Sequence, residues 1–264
     1  MNMQTSSFTQ PMIILVRPQI PENIGASARA MLNFGMSSLR VVAPRNGWSE
    51  EEIAKARPMA AGADKVLEEA GCFATLKDAV SDIHYLLATT ARLRDMDKPS
   101  FQPEEAVLKL AQISKGERAA IIFGPENAGL TNQEISLADG LIHIPANPQF
   151  SSLNLAQSVL LISYLCWGAE GQKAKILSKR AERAKLLELF SHLEAALDEA
   201  GFLKPAEKRP AMVVNLRNML MRAELSEQDI HTLRGVINAL LQWPREEKNE
   251  EILAKIAKIS SMPK

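Results

Sequence analysis

Short apolar runs alternate with polar, glycine- and proline-bearing breaks over the first 170 residues, and longer apolar stripes at helical spacing follow. Residues 12–16 form a β-branched run bounded by Pro11 and Pro18, which predicts a first strand. Residues 39–43, 85–89, 119–123 and 141–144 repeat the pattern, and residues 73–76 read as a weak edge strand. Ile24, Ala28, Met31, Leu32 and Gly35 share one face of a helix predicted over residues 26–34, with Gly35 as its C-cap. Residues 50–59, 60–69, 77–80, 103–113 and 153–167 predict further helices, and Pro103 suits a first turn. Strands alternating with helices predict an α/β domain with a parallel sheet.

After Gly168 no strand candidate remains. Leu186, Leu189, Phe190, Leu193 and Leu197 make a helical stripe within residues 180–200. Residues 211–222, 227–241 and 247–259 predict three more amphipathic helices, with Ser226 and Asp229 marking a start and Pro244 a stop. The organisation expected is a disordered tail over residues 1–11, an α/β domain over 12–170, a basic linker over 171–185 and an all-helical extension over 186–264.

Two of the strands end in residues that a buried strand has no use for. One breaks at Gly124-Pro-Glu-Asn-Ala-Gly129, the other at Pro145, leading through Asn147-Pro148 and Ser151-Ser152 into a helix. Ligands of open α/β sheets bind where such strands end. A third break, Thr90-Ala-Arg-Leu-Arg-Asp95, follows the strand at 85–89. Taken singly, each loop also suits an ordinary turn or helix cap.

Composition narrows the class. Apolar residues are 46% and charged residues 23%, ordinary for a globular protein. The absence of an apolar run near the roughly 18 residues needed to span a bilayer, and of a signal pattern, predicts a cytoplasmic protein without a membrane partner. Cys72 and Cys166 lack paired spacing, and with four scattered histidines they offer no metal set, so buried reduced thiols are expected. Net charge is zero, yet residues 1–170 carry 14 Lys+Arg against 18 Asp+Glu, and residues 171–264 carry 17 against 13. Lys173, Lys175, Lys179, Arg180, Arg183 and Lys185 lie close together with one acid, Glu182, a stretch suited either to phosphate contacts or to a solvated linker.

In chain order stand Asn23-x-Gly25-x-x-x-Arg29, then Gly124-x-Glu126-x-x-Gly129-Leu130, then Ile144-Pro145 followed by Ser152-Leu-Asn154. Together they resemble the three motifs of the SpoU class of SPOUT RNA methyltransferases. Thr89-Thr-Ala-Arg92, Asn147-Pro148, the run from Ser151 to Gln157 and the tail segments 216–226 and 233–236 are similar to the TrmJ subgroup. The resemblance covers residues 12 to about 241; where some members have basic or bulkier residues, this chain has Pro125 to Ala128.

The resemblance implies a parallel sheet with a C-terminal trefoil knot, S-adenosylmethionine as cofactor, a homodimer, and 2′-O-methylation of a tRNA ribose at nucleotide 32. The helices at 153–167 and around Arg29 are the implied dimer contacts. Carried across by motif, the cofactor contacts are Thr89, Thr90, Ala91, Gly124, Ile144, Ser151, Ser152 and Leu153. The catalytic set is Arg29, Asn23, Glu126, Ser152 and Asn154, with no metal. Within that set Glu126 is expected to hold Arg29, or to hold the loop backbone through Asn23. An rRNA target for the same fold, and a non-catalytic RNA-binding protein, are the alternatives.

Overall fold

The structure, a computed structural model, describes residues 10–90, 98–113, 116–169 and 180–242. Seven strands, β1 (Met12–Val16), β2 (Leu39–Val42), β3 (Gly71–Phe73), β4 (Tyr85–Thr90), β5 (Ser100–Phe101), β6 (Ala119–Phe123) and β7 (Gly140–His143), form one sheet. Its order is β3-β2-β1-β6-β4-β7-β5, and every pairing is parallel. All five residues of β6 are buried, as expected of a central strand covered on both faces.

Helices α1 (Pro21–Asn33), α2 (Glu50–Ala60), α3 (Asp64–Glu68), α5 (Pro103–Leu110) and α7 (Leu155–Ala169) cover one face. The short helices α4 (Leu76–Ala79) and α6 (Asn132–Ile135) belong to the other. Alternate residues of β1 divide between the faces: Ile13 and Leu15 enter the first core, Ile14 and Val16 the second. Where α1 crosses α2 the backbones nearly touch. A Cβ on Gly25 would lie 1.9 Å from the Ala56 carbonyl oxygen, so the motif glycine of α1 is required by packing.

Among the described residues the strands and helices expected from the pattern are present with ends shifted by a few residues. Helix α1 starts at Pro21, earlier than expected, because Pro is pre-organised for the first helical turn. β5 and α6, two and four residues long, had no expectation. Gln10 and Pro11 belong to the body and not to a tail: the Gln10 side chain donates to the Phe34 carbonyl (3.3 Å) and Pro11 is buried. Cys166 is buried, and burial pushes its thiol up to about 12, whereas Cys72 is exposed, contrary to expectation. No described helix is long and apolar enough to cross a membrane.

The helical extension contains α8 (Arg183–Glu199), α9 (Arg209–Met221) and α10 (Glu227–Leu241), with a core around Leu186, Leu189, Phe190, Met221, Ile230 and Ile237. Helix α10 opens with the capping box expected at Ser226 and Asp229. The helix expected over residues 247–259 lies outside the described residues.

The basic linker needs correction. Arg180 and Arg183 are 4% and 1% exposed and do not face solvent. Arg183 pairs with Asp139 and donates to Met221 Sδ (3.0 Å). Arg180 pairs with Glu224 (2.7 Å), sits over the Tyr85 ring (4.7 Å), and its backbone N–H donates to Glu117. Lys185 pairs with Glu227 (2.7 Å). Arg180 and Arg183 join the helical extension to the N-terminal ends of β4, β6 and β7, because Tyr85, Glu117 and Asp139 stand at or just before those strand starts, whereas the Lys185 pair lies within the extension. Lys173, Lys175 and Lys179 lie outside the described residues.

Candidate active site

The opposite edge of the sheet, where the same three strands end, holds a cleft of about 450 Å³. β4 lies between β6 and β7 in the sheet, so the end of β4 at Thr89 and Thr90 meets the loops after Phe123 and His143 although they are far apart in sequence. Thr89, Thr90, Gly124, Ile144, Ser151, Ser152 and Leu153, all expected cofactor contacts, line it together. Ala91, the remaining one, lies outside the described residues.

Several lining residues were not expected as contacts: Phe123, Pro125, Asn127, Ala128, Gly129, Leu130, Leu155 and Ser158. The sequence signal for the loop members was the pair of glycines. A Cβ on Gly124 would lie 2.4 Å from the Leu130 nitrogen and 2.5 Å from the Gly129 carbonyl carbon, so the loop folds back over a position without a side chain. Gly129 turns the chain at φ 67°, and its N–H donates to the Pro125 carbonyl (2.9 Å). Thr131 and Glu134 then close the loop with a reciprocal capping box on α6. Glu134 also forms a two-point ion pair with Arg17, which tethers this loop to the end of β1.

A polar relay ties the three motif regions together. Glu126 Oε1 accepts from Asn23 Nδ2 (2.7 Å), and its Oε2 accepts from the Gln19 backbone N–H (2.9 Å). Asn23 Oδ1 in turn accepts from Asn154 Nδ2 (3.1 Å). The Glu126 carboxylate therefore lies against the N-terminus of α1, where the helix dipole favours an anion. Asn154 Oδ1 accepts from the Ala156 (2.9 Å) and Gln157 (3.3 Å) N–H groups and caps the first turn of α7. Between the two expected partners for Glu126, the geometry selects Asn23 and the loop backbone; Arg29 is not its partner.

Arg29 stands apart. It is exposed on α1, it does not line the cleft, and its side chain makes no hydrogen bond or ion pair among the described residues. Of the expected catalytic set, Asn23, Glu126 and Asn154 form the relay and Glu126 and Ser152 reach the cleft wall, whereas Arg29 is exposed on α1 and outside the lining. Among the described residues no group of three His, Cys, Asp or Glu side chains is placed to hold a metal ion.

This arrangement has known counterparts. Residues 10–164 match the model of the SpoU rRNA Methylase family, and residues 184–251 match the TrmJ C-terminal domain. The tRNA (cytidine/uridine/adenosine-2′-O-)-methyltransferase TrmJ of Pseudomonas aeruginosa is 35% identical over 85% of this chain and 91% of its own. The tRNA (cytidine/uridine-2′-O-)-methyltransferase TrmJ of Escherichia coli K12 is 32% identical over 90% of this chain and 98% of its own. The crystal structure of TrmJ from Z. mobilis ZM4 superimposes with a TM-score of 0.81 at 43% identity, over 88% of this chain and 99% of that one. A strand-end cleft lined by two of the three motif segments, a helical extension of matching type and relatives of nearly the same span place this chain in the SpoU methylase family, in its TrmJ branch.

Proposed function

We propose that the cleft binds S-adenosylmethionine and that the protein methylates a ribose 2′-oxygen of tRNA, at nucleotide 32 of the anticodon loop. The observation that carries this reading is the convergence of two motif loops and the end of β4 on one cleft, with the third motif bonded to it through Asn23, in a chain of the TrmJ branch. The cleft volume lies within the usual range for small-molecule sites, about 300–1,000 Å³. Its lining suits the cofactor: Ile144, Leu153 and Leu130 offer apolar walls, Ser151, Ser152 and Thr89 hydroxyls, and Gly124 close backbone approach. When bound, the cofactor supplies an electrophilic methyl group for in-line displacement.

The chain's own residues then have to align the acceptor. Glu126, Asn23 and Asn154 hold the loops in register, and such alignment accounts for much of the acceleration of a two-substrate reaction. Arg29 binds the phosphate beside the acceptor ribose and stabilises the developing alkoxide. Its absence from the lining of its own cleft supports a homodimer in which α1 and α7 face a second copy. Leu32, Leu160, Leu161, Tyr164 and Trp167 are exposed on these two helices. A trefoil knot in the methyltransferase domain, with the α/β part ending near residue 170, belongs to the same reading.

An rRNA target is the second reading, favoured by the match to the SpoU rRNA Methylase family; the TrmJ-type C-terminal domain and the TrmJ relatives favour tRNA. The test is Arg29→Ala assayed with S-adenosylmethionine and tRNA transcripts. Turnover is expected to fall at least about 100-fold, the scale of losing one charge-stabilising donor, with cofactor affinity kept. Normal turnover in that variant contradicts the role given to Arg29.

A further inference from the structure

Phe150 is the most exposed of the exposed large hydrophobic side chains among the described residues, at 79%; the next, Leu240, is at 66%. A single exposed apolar residue needs no explanation of its own. Its setting does. Phe150 immediately precedes Ser151 and Ser152 of the cleft wall, so its Cα stands about 3.8 Å from that of a lining residue. The turn that presents it is internally bonded: Asn147 Oδ1 accepts from the Gln149 N–H (3.0 Å), and the Asn147 carbonyl accepts from the Phe150 N–H (2.8 Å). Phe150 is thus held by its backbone next to a residue of the cleft wall, with its side chain open to solvent.

The cleft itself offers no such surface. Among the described lining residues Phe123 is the only aromatic side chain, and it is 1% exposed, packed into the core. A nucleotide whose ribose enters the cleft must still place its base somewhere, and unstacked bases of single-stranded loops are commonly received on aromatic side chains. We propose that Phe150 is the stacking platform for the base of the acceptor nucleotide, a positioning residue that sets the ribose against the methyl donor. This rests on the reading of the cleft as a tRNA methyl-transfer site. Stacking is tolerant of base identity, since every base has a π-face. The platform therefore orients cytidine and uridine alike, and any discrimination between them arises elsewhere.

The test uses the full-length protein with Phe150→Leu, Phe150→Ala and Phe150→Tyr. Methyl transfer to tRNA transcripts carrying cytidine or uridine at the acceptor position, S-adenosylmethionine affinity and oligomeric state are measured for each. Loss of one aromatic stack predicts a fall in kcat/KM for tRNA of about 5- to 150-fold in the Leu and Ala variants, equal for both bases. The Tyr variant keeps near wild-type values, and cofactor affinity is unchanged in all three. Wild-type kcat/KM in Phe150→Leu overturns the proposal. So does a loss of cofactor affinity, which makes the ring a cofactor cover, or a change in oligomeric state, which makes it an interface residue. If the unaltered protein transfers no methyl group to tRNA, the functional reading fails first and the platform with it.

Discussion

Replacing Gly124 by alanine perturbs the cleft through geometry alone. The added Cβ would stand 2.4 Å from the Leu130 nitrogen, 2.5 Å from the Gly129 carbonyl carbon and 2.9 Å from the Gly129 Cα. All three neighbours are backbone, so no side chain can rotate away. Ordinary carbon contacts begin near 3.4 Å, so the segment from Gly129 to Leu130 must retreat by about 1 Å, and misplacements of that size cost on the order of 100-fold in rate. The displaced segment is cleft wall, and Glu126 within the loop carries the bonds to Asn23 and Gln19. Calorimetric titration with S-adenosylmethionine and a tritiated-methyl transfer assay on tRNA are expected to show weakened cofactor binding and about a 100-fold loss of turnover. Circular dichroism should still report a folded protein, because Leu130 is the only core side chain in the displaced segment. Gly129→Ala is the contrast: its Cβ meets nothing within 4 Å, and only the left-handed backbone is strained, by roughly 1–2 kcal/mol. Gly124→Ala with wild-type affinity and turnover would refute the argument that the folded-back loop forms the site.

Two further predictions concern the opposite edge of the sheet. Asp139→Ala leaves the Arg183 guanidinium buried without its partner and also removes the acceptor of the Leu86 N–H (2.6 Å), so urea unfolding should show a loss of about 3–5 kcal/mol. Coupling the change to Arg183→Met should recover much of it. Lys98 is buried and donates to the Ser136 (3.3 Å) and Ala138 (2.5 Å) carbonyls, and burial holds its pKa down to about 8 despite the nearby Asp139 carboxylate. The folded state therefore binds the Lys98 proton less readily than the unfolded chain does. Its penalty is full below pH 8 and fades as the pH rises toward the unfolded value of 10.5. Over that window stability should gain up to about 3 kcal/mol relative to a Lys98→Met variant; a flat difference in unfolding free energy would contradict the assignment.

Much of the fold was legible because strand period, helix period and turn chemistry agree along the first 168 residues. The loops at Gly124 and Ser151 stood out for the same reason: polar and glycine residues interrupt runs that are otherwise core. Sheet order was not legible. Nothing local in the sequence says that β4 lies between β6 and β7, yet that order is what brings Thr89 and Thr90 into the cleft. β5 and α6 are too short to show a period, although Thr131 and Glu134 carried the signature of a cap. The basic stretch misled because a count of charges holds no record of partners. Asp139 and Glu224, which neutralise Arg183 and Arg180, lie about 40 residues away on either side. Likewise Glu126 and Arg29 share the motif set, but the carboxylate turns to Asn23 and leaves the guanidinium exposed.

The central claim is that this cleft delivers a methyl group to a ribose 2′-oxygen of tRNA. Unmodified tRNA transcripts incubated with the protein and S-adenosylmethionine, digested and mapped by mass spectrometry, test it directly. One 2′-O-methylated nucleotide is expected, at position 32, formed by the wild type and at least about 100-fold more slowly by Arg29→Ala. A methyl group found on a base, or none transferred to any tRNA, would contradict it.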